Sequence, residues 1–408
     1  METDAVLAHT FDLSRLPRSF HDDPYPTYRA LRQHAPVKRL PNGQYFLSRY
    51  DDLNAVYRDT ARFRSDKTEE FLPKFGRSPL YEHHTTSLVF NDPPLHGRVR
   101  RLIAGALTPR AIGAMEPGLR ALVDRLLDRL GPEADLVEEF AAAIPVEVIG
   151  NLLGVPVDER GPLRGWSLAI LGALEPVLTP AEEAAGNAAV SEFLRYLETL
   201  VARRRAAPGD PATDVLTRLL AGESDGERLT PKELLHNCIF LLNAGHETTT
   251  NLIGNALVLL HDHPEERARV LADPGLVRTT VEEVLRFESS NQLGNRWAAE
   301  PVTIGGVDLP AGTLLTLCIG AANRDPAQFP DPDRFDAGRT PNRHLAFIAG
   351  PHQCVGMSLA RLEGAVAVAG FLRRFPDYAL AAPPERGGRV RFRGYARIPC
   401  WPGGRPGV

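Results

Sequence analysis

Apolar residues recur at three- and four-residue spacing through roughly the first 290 positions, the period of helices that bury one face. GLRALVDRLLDRLG (Gly118–Gly131) and EEAAGNAAVSEFLRYLETLVARRRA (Glu182–Ala206) show it most clearly. Strand-like runs are few. GQYFLSRY near Gly43 is one, and VTIGGVDLPAGTLLTLCI from Val302 alternates between Gly-Gly and Pro-Ala-Gly turn signals, as a small sheet would. The pattern predicts a mostly α protein with small β-sheets.

One helix is delimited at both ends. Thr230 is placed to cap it, Pro231 suits the first helical position, and Glu233 completes a capping box. The apolar pattern continues to His263, where Pro264 stops it. That is roughly 33 residues, or about 50 Å, enough to cross the whole molecule. Its midpoint, NAGHETTTN, is polar and carries a glycine and three consecutive threonines, whose hydroxyls can bond back to preceding carbonyls. A local distortion is expected there.

Composition narrows the class. The 408 residues carry a formal net charge of −4, which implies no strongly basic face and no nucleic-acid partner. No window approaches a membrane span, and the N-terminus has no signal-peptide pattern, so the reading is a cytoplasmic protein without a membrane anchor. No repeat or linker divides the chain. It is expected to form a single domain over 1–408, with 1–21 and 401–408 as peripheral tails. The four cysteines, Cys238, Cys318, Cys354 and Cys400, are too dispersed for a zinc cluster or a disulfide framework.

Cys354 stands apart. FIAGPHQCVGMSLAR (Phe347–Arg361) holds it between glycines, ahead of a helical pattern ending in basic residues. A cysteine beside apolar residues is most often a small buried hydrophobe. The bracketing glycines are costly unless the backbone bends tightly or packs against something flat. At a helix N-terminus, free N–H groups favour a thiolate, which could act as nucleophile or metal ligand. His352 is poorly spaced to serve as a catalytic base. One thiolate as the only protein ligand suits haem iron, because the porphyrin supplies four more ligands.

The stretch resembles the cysteine-ligand loop of the haem-thiolate monooxygenases, the cytochrome P450 family. Phe347, Gly350, His352, Cys354 and Gly356 match that pattern, while Ile348 stands where the family usually has glycine. Three further motifs follow the family's order. Glu283-Val284-Leu285-Arg286 resembles its Glu-x-x-Arg, which with Arg334 of DPDRF implies a structural ion network. Ala244-Gly245-His246-Glu247-Thr248-Thr249 resembles its oxygen-binding segment. FNDPPLHGRVRRL resembles its Asp-Pro-Pro-x-His-x-x-x-Arg stretch.

The resemblance spans about Asp22–Pro399 and implies a cytochrome P450 fold with haem b between the long central helix and the cysteine loop. Cys354 would be the axial ligand. His96, Arg100, Arg296 and His352 would bind the propionates, with His344 a further candidate, and Ala244 and Gly356 would lie against the porphyrin. Glu247 and Thr248 would relay protons. The implied substrate segments include Leu88, Asn243, Asn291, Gln292 and Tyr395, with Phe71, Phe75 and Phe90 nearby.

No flavin, ferredoxin or dinucleotide-binding motif is fused. Electrons from NAD(P)H would therefore arrive through a separate ferredoxin and ferredoxin reductase, docking near Arg98, Arg101 and Arg361 of a monomer. The expected reaction is hydroxylation of a small or medium apolar molecule, with epoxidation possible. The same scaffold could instead couple phenols, dealkylate or use peroxide. From another class, a non-catalytic haem-binding sensor would need no proton relay.

Overall fold

Two capping boxes set the long helices where the sequence places them. Thr230 Oγ1 accepts from the Glu233 N–H at 3.2 Å, and the Glu233 carboxylate accepts from the Thr230 N–H at 2.8 Å. The central helix they open runs Pro231–Asp262, 32 residues, and stops at His263. Thr179 and Glu182 pair in the same way at the start of the helix Pro180–Ala206. This computed structural model describes residues 2–211, 214–221, 228–405 and 407.

The distortion expected at NAGHETTTN is not a break, for the central helix is continuous. The threonines do bond back, Thr248 Oγ1 to Ala244 O at 2.7 Å and Thr250 Oγ1 to His246 O at 3.0 Å, within an intact helix. Gly245 is there for packing. A Cβ on it would lie 2.6 Å from Ile149 Cδ1, on the helix Ala143–Leu153, so the glycine lets the two helices approach.

The main sheet has five strands, in the order Val37–Arg39, Tyr45–Leu47, Leu314–Cys318, Leu293–Ala298, Phe63–Arg64. Tyr45–Leu47 runs parallel to Leu314–Cys318, and Leu293–Ala298 runs antiparallel to it with Leu293 opposite Cys318. The Gly305-Gly306 turn joins a separate hairpin, Val302–Ile304 with Val307–Leu309.

The largest apolar core gathers the central helix, the helix Met357–Arg374 and their neighbours. A second core packs under the main sheet, and a third joins Ala8, Phe11 and Phe20 to Tyr28, Phe46 and Leu293. Burying Phe11 and Phe20 anchors residues 2–21 to this core. At the other end Cys400 and Trp401 pair with Ala379 and Leu380 in a three-stranded sheet, and residues 406 and 408 lie outside the described residues. No described helix is long and apolar enough to cross a membrane.

Candidate active site

The loop before Met357 is built by close backbone approaches. The Cys354 N–H donates to Phe347 O at 3.0 Å and the Ile348 N–H to Leu345 O at 2.8 Å. Gly350 has φ +72°, and a Cβ there would lie 2.4 Å from Tyr57 O, so no other residue fits. Ile348 has φ +50°, in the left-handed region where a β-branched residue is strained. The residue at the family's glycine position keeps the glycine conformation, and the departure is absorbed as backbone strain.

This loop and the central helix bound a cavity of about 320 Å³. Cys354 and Ala244 are exposed although they lie inside the molecule, because both face that cavity. Burial pushes the Cys354 thiol up, while the Gly356 N–H, Arg100 and Arg361 pull the other way. The helix-terminus expectation is right in sign, but desolvation outweighs it until a cation faces the sulfur. Cys238, Cys318 and Cys400 are buried.

His96, Arg100, Arg296 and His352 meet on the same lining. The His96 and His352 rings lie 3.9 Å apart. Arg296 projects from Leu293–Ala298, with its guanidinium 5.2 Å from the Tyr57 ring centre. Its Nε and His352 Nε2 are buried with no hydrogen-bond partner, and the nearest carboxylate oxygen to His352, on Asp92, is 3.8 Å away. Among the described residues neither Arg100 nor Arg296 is in an ion pair with a carboxylate. His344 is not part of the set, since Glu282 holds it at 3.1 Å away from the lining.

The Glu247–Thr248 pair is split. Thr248 lines the cavity, and Glu247 does not. Consecutive helical residues point about 100° apart, and Glu247 turns to Arg389, whose Nη1 donates to both carboxylate oxygens at 2.7 and 2.6 Å. Burial pushes the Glu247 carboxyl up to about 7, against the pull of Arg389.

Residues 168–377 match the sequence model of the family described as Cytochrome P450. Cytochrome P450 107B1 of Saccharopolyspora erythraea is 38% identical over 413 aligned residues, covering 96% of this chain and 98% of that protein. The chain belongs to the cytochrome P450 family. The vitamin D(3) 25-hydroxylase of Pseudonocardia autotrophica is also 38% identical, over 95% of this chain and 96% of its own. Among solved structures, P450BioI in complex with hexadec-9Z-enoic acid ligated acyl carrier protein superposes with a TM-score of 0.89. It is 34% identical and covers 94% of this chain and 98% of that one. The fold is thus the single-domain cytochrome P450 fold, and the chain is an oxidoreductase of the monooxygenase class.

Cytochromes P450 use haem b, and the residues present fit it. Among the described residues the Arg100 and Arg296 guanidiniums have no carboxylate partner, and Arg296 Nε and His352 Nε2 have no hydrogen-bond partner, which suits propionates. A Cβ on Gly356 would meet no atom within 4 Å, which leaves a flat group room beside the sulfur. Among the described residues no cluster of three or more His, Cys, Asp or Glu could hold a metal by itself.

The Glu283–Arg286 pair of this cytochrome P450 is fully buried, with contacts of 2.7 and 2.8 Å. Its third member needs correction. Arg339 Nε reaches Glu283 at 3.0 Å, whereas exposed Arg334 offers Arg286 only its carbonyl oxygen, at 3.1 Å. Both arginines lie on one meander, and only the fold decides which side chain turns inward.

Two of the arginines expected to dock an electron donor are already paired within the chain, Arg98 with Glu233 and Arg361 with Glu282 at 2.6 Å. Leu88, Phe90, Asn243 and Asn291 line the cavity. Gln292 and Tyr395 do not. Gln292 bonds Ser289 O at 2.7 Å, and Tyr395 lies beneath the Arg386 guanidinium at 4.2 Å. Phe71 and Phe75 also stay off the lining, packing around His84. His83 and His84 lie in the stretch from about Thr68 to Val89 that the resemblance implies for substrate contacts, whereas Tyr57, Ile149, Leu152, Arg391 and Phe392 line the cavity from outside every implied segment.

Proposed function

We propose that this chain hydroxylates a small or medium apolar molecule, with electrons from a separate ferredoxin and its reductase in the cytoplasm. The observation that carries the reading is one cavity whose lining brings together Cys354, the His96, Arg100, Arg296 and His352 set, and Thr248. When bound, the haem supplies iron whose thiolate ligand favours O–O cleavage. Cys354 would hold that iron through its thiolate, and His96, Arg100, Arg296 and His352 would hold the propionates.

The remaining chemistry is proton supply into a dry pocket. Thr248 Oγ1, which donates to Ala244 O, lies on the cavity lining, which supports a role in giving a proton there once that bond is released. Glu247 stands behind it and Arg389 beyond, at a surface depression also lined by Leu168, Glu175 and Glu182. Released from Arg389, Glu247 would recharge Thr248 through an intervening water, without flooding the site. Hydroxylation is supported by relatives named for it, vitamin D(3) 25-hydroxylase and 6-deoxyerythronolide B hydroxylase.

Reconstitution with a ferredoxin, its reductase and NADPH tests this reading. Thr248→Ala is expected to keep consuming NADPH while product per NADPH falls about a hundredfold, the lower end of what a positioned proton donor contributes. Unchanged product per NADPH would remove Thr248 from the relay. Product formed by the wild type with peroxide alone, but not with the redox partners, would favour the peroxide-driven alternative.

A further inference from the structure

The cavity wall is apolar over most of its extent, where Leu88, Leu152, Leu171, Leu174 and Leu241 line it. His83, His84 and Asn243 interrupt it in one place, and Ser290, Asn291, Asn295 and Arg391 in another. The two histidines lie on the helix Pro79–Thr86, started by the Ser78 hydroxyl accepting from the Tyr81 N–H, and their rings are 5.0 Å apart. Asn243 comes from the central helix, five residues and so about 7.5 Å along the axis from Thr248.

Their hydrogen bonding is incomplete. Asn243 Nδ2 is 3.5 Å from His83 Nε2, a weak contact at best. His83 Nδ1, His84 Nε2 and Asn243 Oδ1 are buried without partners among the described residues. None of the three side chains is more than 3% exposed. An unmet buried polar group costs about 1–3 kcal/mol, and native interiors rarely leave one, let alone three side by side. The proton relay and the propionate set use none of them.

We propose that His83, His84 and Asn243 recognise a neutral oxygen function, a hydroxyl or carbonyl, at one end of an otherwise apolar substrate. This rests on the monooxygenase reading above. Burial keeps both rings neutral: it takes His84 down to about 3, helped by Lys74, Arg391 and His236, and His83 well below 6.5, helped by His84 and His236. A neutral imidazole offers one N–H and one lone pair, so the set presents donors and acceptors without net charge.

A carboxylate is poorly served there, since it would lose its hydration without gaining a free cation. The two cations whose charge reaches His84, Lys74 and the cavity-lining Arg391, already direct their donors at protein oxygens. Arg391 bonds Leu174 O, Leu293 O and Asn295 Oδ1, and Lys74 bonds Glu175 O.

Calorimetric titration of the haem-loaded enzyme with cyclododecanone, cyclododecanol, cyclododecane and cyclododecanecarboxylate tests the proposal. The ketone and alcohol are expected to bind at least about tenfold tighter than the hydrocarbon and the acid, a margin of about 1.4 kcal/mol. His83→Phe, His84→Phe and Asn243→Leu should each shrink that preference severalfold, while His84→Gln retains most of it.

Each variant is first checked for the wild-type carbon monoxide spectrum, which shows that its haem site is intact. Equal affinity for ketone and hydrocarbon, tightest binding of the acid, no binding of ketone or alcohol, or an unchanged preference in all three apolar variants would overturn the proposal. A wild type that takes up no haem would instead strike the monooxygenase reading.

Discussion

Ile348 shows how one residue can carry a conflict between two requirements. Its φ of +50° suits glycine, yet its side chain packs against the core beneath the main sheet. Replacement by alanine removes that packing and leaves the strain, whereas glycine removes both. Glycine ordinarily destabilises relative to alanine by roughly 0.5–1 kcal/mol, but a left-handed position reverses the order by about 1–2 kcal/mol. Ile348→Gly should therefore melt above Ile348→Ala, and the opposite order in thermal unfolding would contradict the loop conformation. At this scale Cys354 was legible from sequence because its chemistry is local, a thiol held between glycines. His83 and His84 fell only within a segment implied for substrate contact, from about Thr68 to Val89, since nothing in SPLYEHHTTS says which face of a short helix meets a cavity.

Among the elements, the central helix was legible at both ends because its stop signals are local and strong. Its interior was not. Gly245 and the threonines predict distortion in isolation, but packing against Ile149 and the rest of the core holds the helix together. Sequence order also failed to separate Arg334 from Arg339, which lie five residues apart on an irregular meander. Arg339→Ala should cost about 1.5–3 kcal/mol, because it strips a charged hydrogen bond from fully buried Glu283. Arg334→Ala should cost less than about 0.5 kcal/mol. Denaturant midpoints for the two variants decide the assignment, and equal losses would refute it. The Glu247–Thr248 split has the same origin, since adjacent letters in a motif occupy different faces of a helix.

Across the whole molecule, buried titratable groups give stability a defined dependence on pH. Burial takes His84 and His246 down to about 3 and His236 to about 4, from an ordinary value of 6.5. At these histidines the unfolded chain then binds more protons than the folded one between those values, so their contribution to stability falls as pH drops below about 6.5. Glu288 adds a lower window. Burial would raise its carboxyl, but Arg393, Arg386 and Arg324 overcome that and hold it at about 2, against an ordinary 4.5. Its contribution is present above pH 4.5 and is lost as pH falls toward 2. Glu247 and Glu363 act in the opposite sense, because burial raises their carboxyls to about 7 and about 8, and they offset the histidines between those values and pH 4.5. Below pH 4.5 the histidines and Glu288 act together, so the melting temperature should fall steeply between pH 4.5 and 3, and a flat profile there would contradict this account.

The central claim is that Cys354 is the axial ligand of a haem in this cavity, and the carbon monoxide difference spectrum of the reduced protein tests it most directly. The account predicts the strongly red-shifted Soret band of thiolate-ligated haem in the wild type and its loss in Cys354→Ser. No haem uptake under adequate supply, or the same band in both proteins, would contradict it.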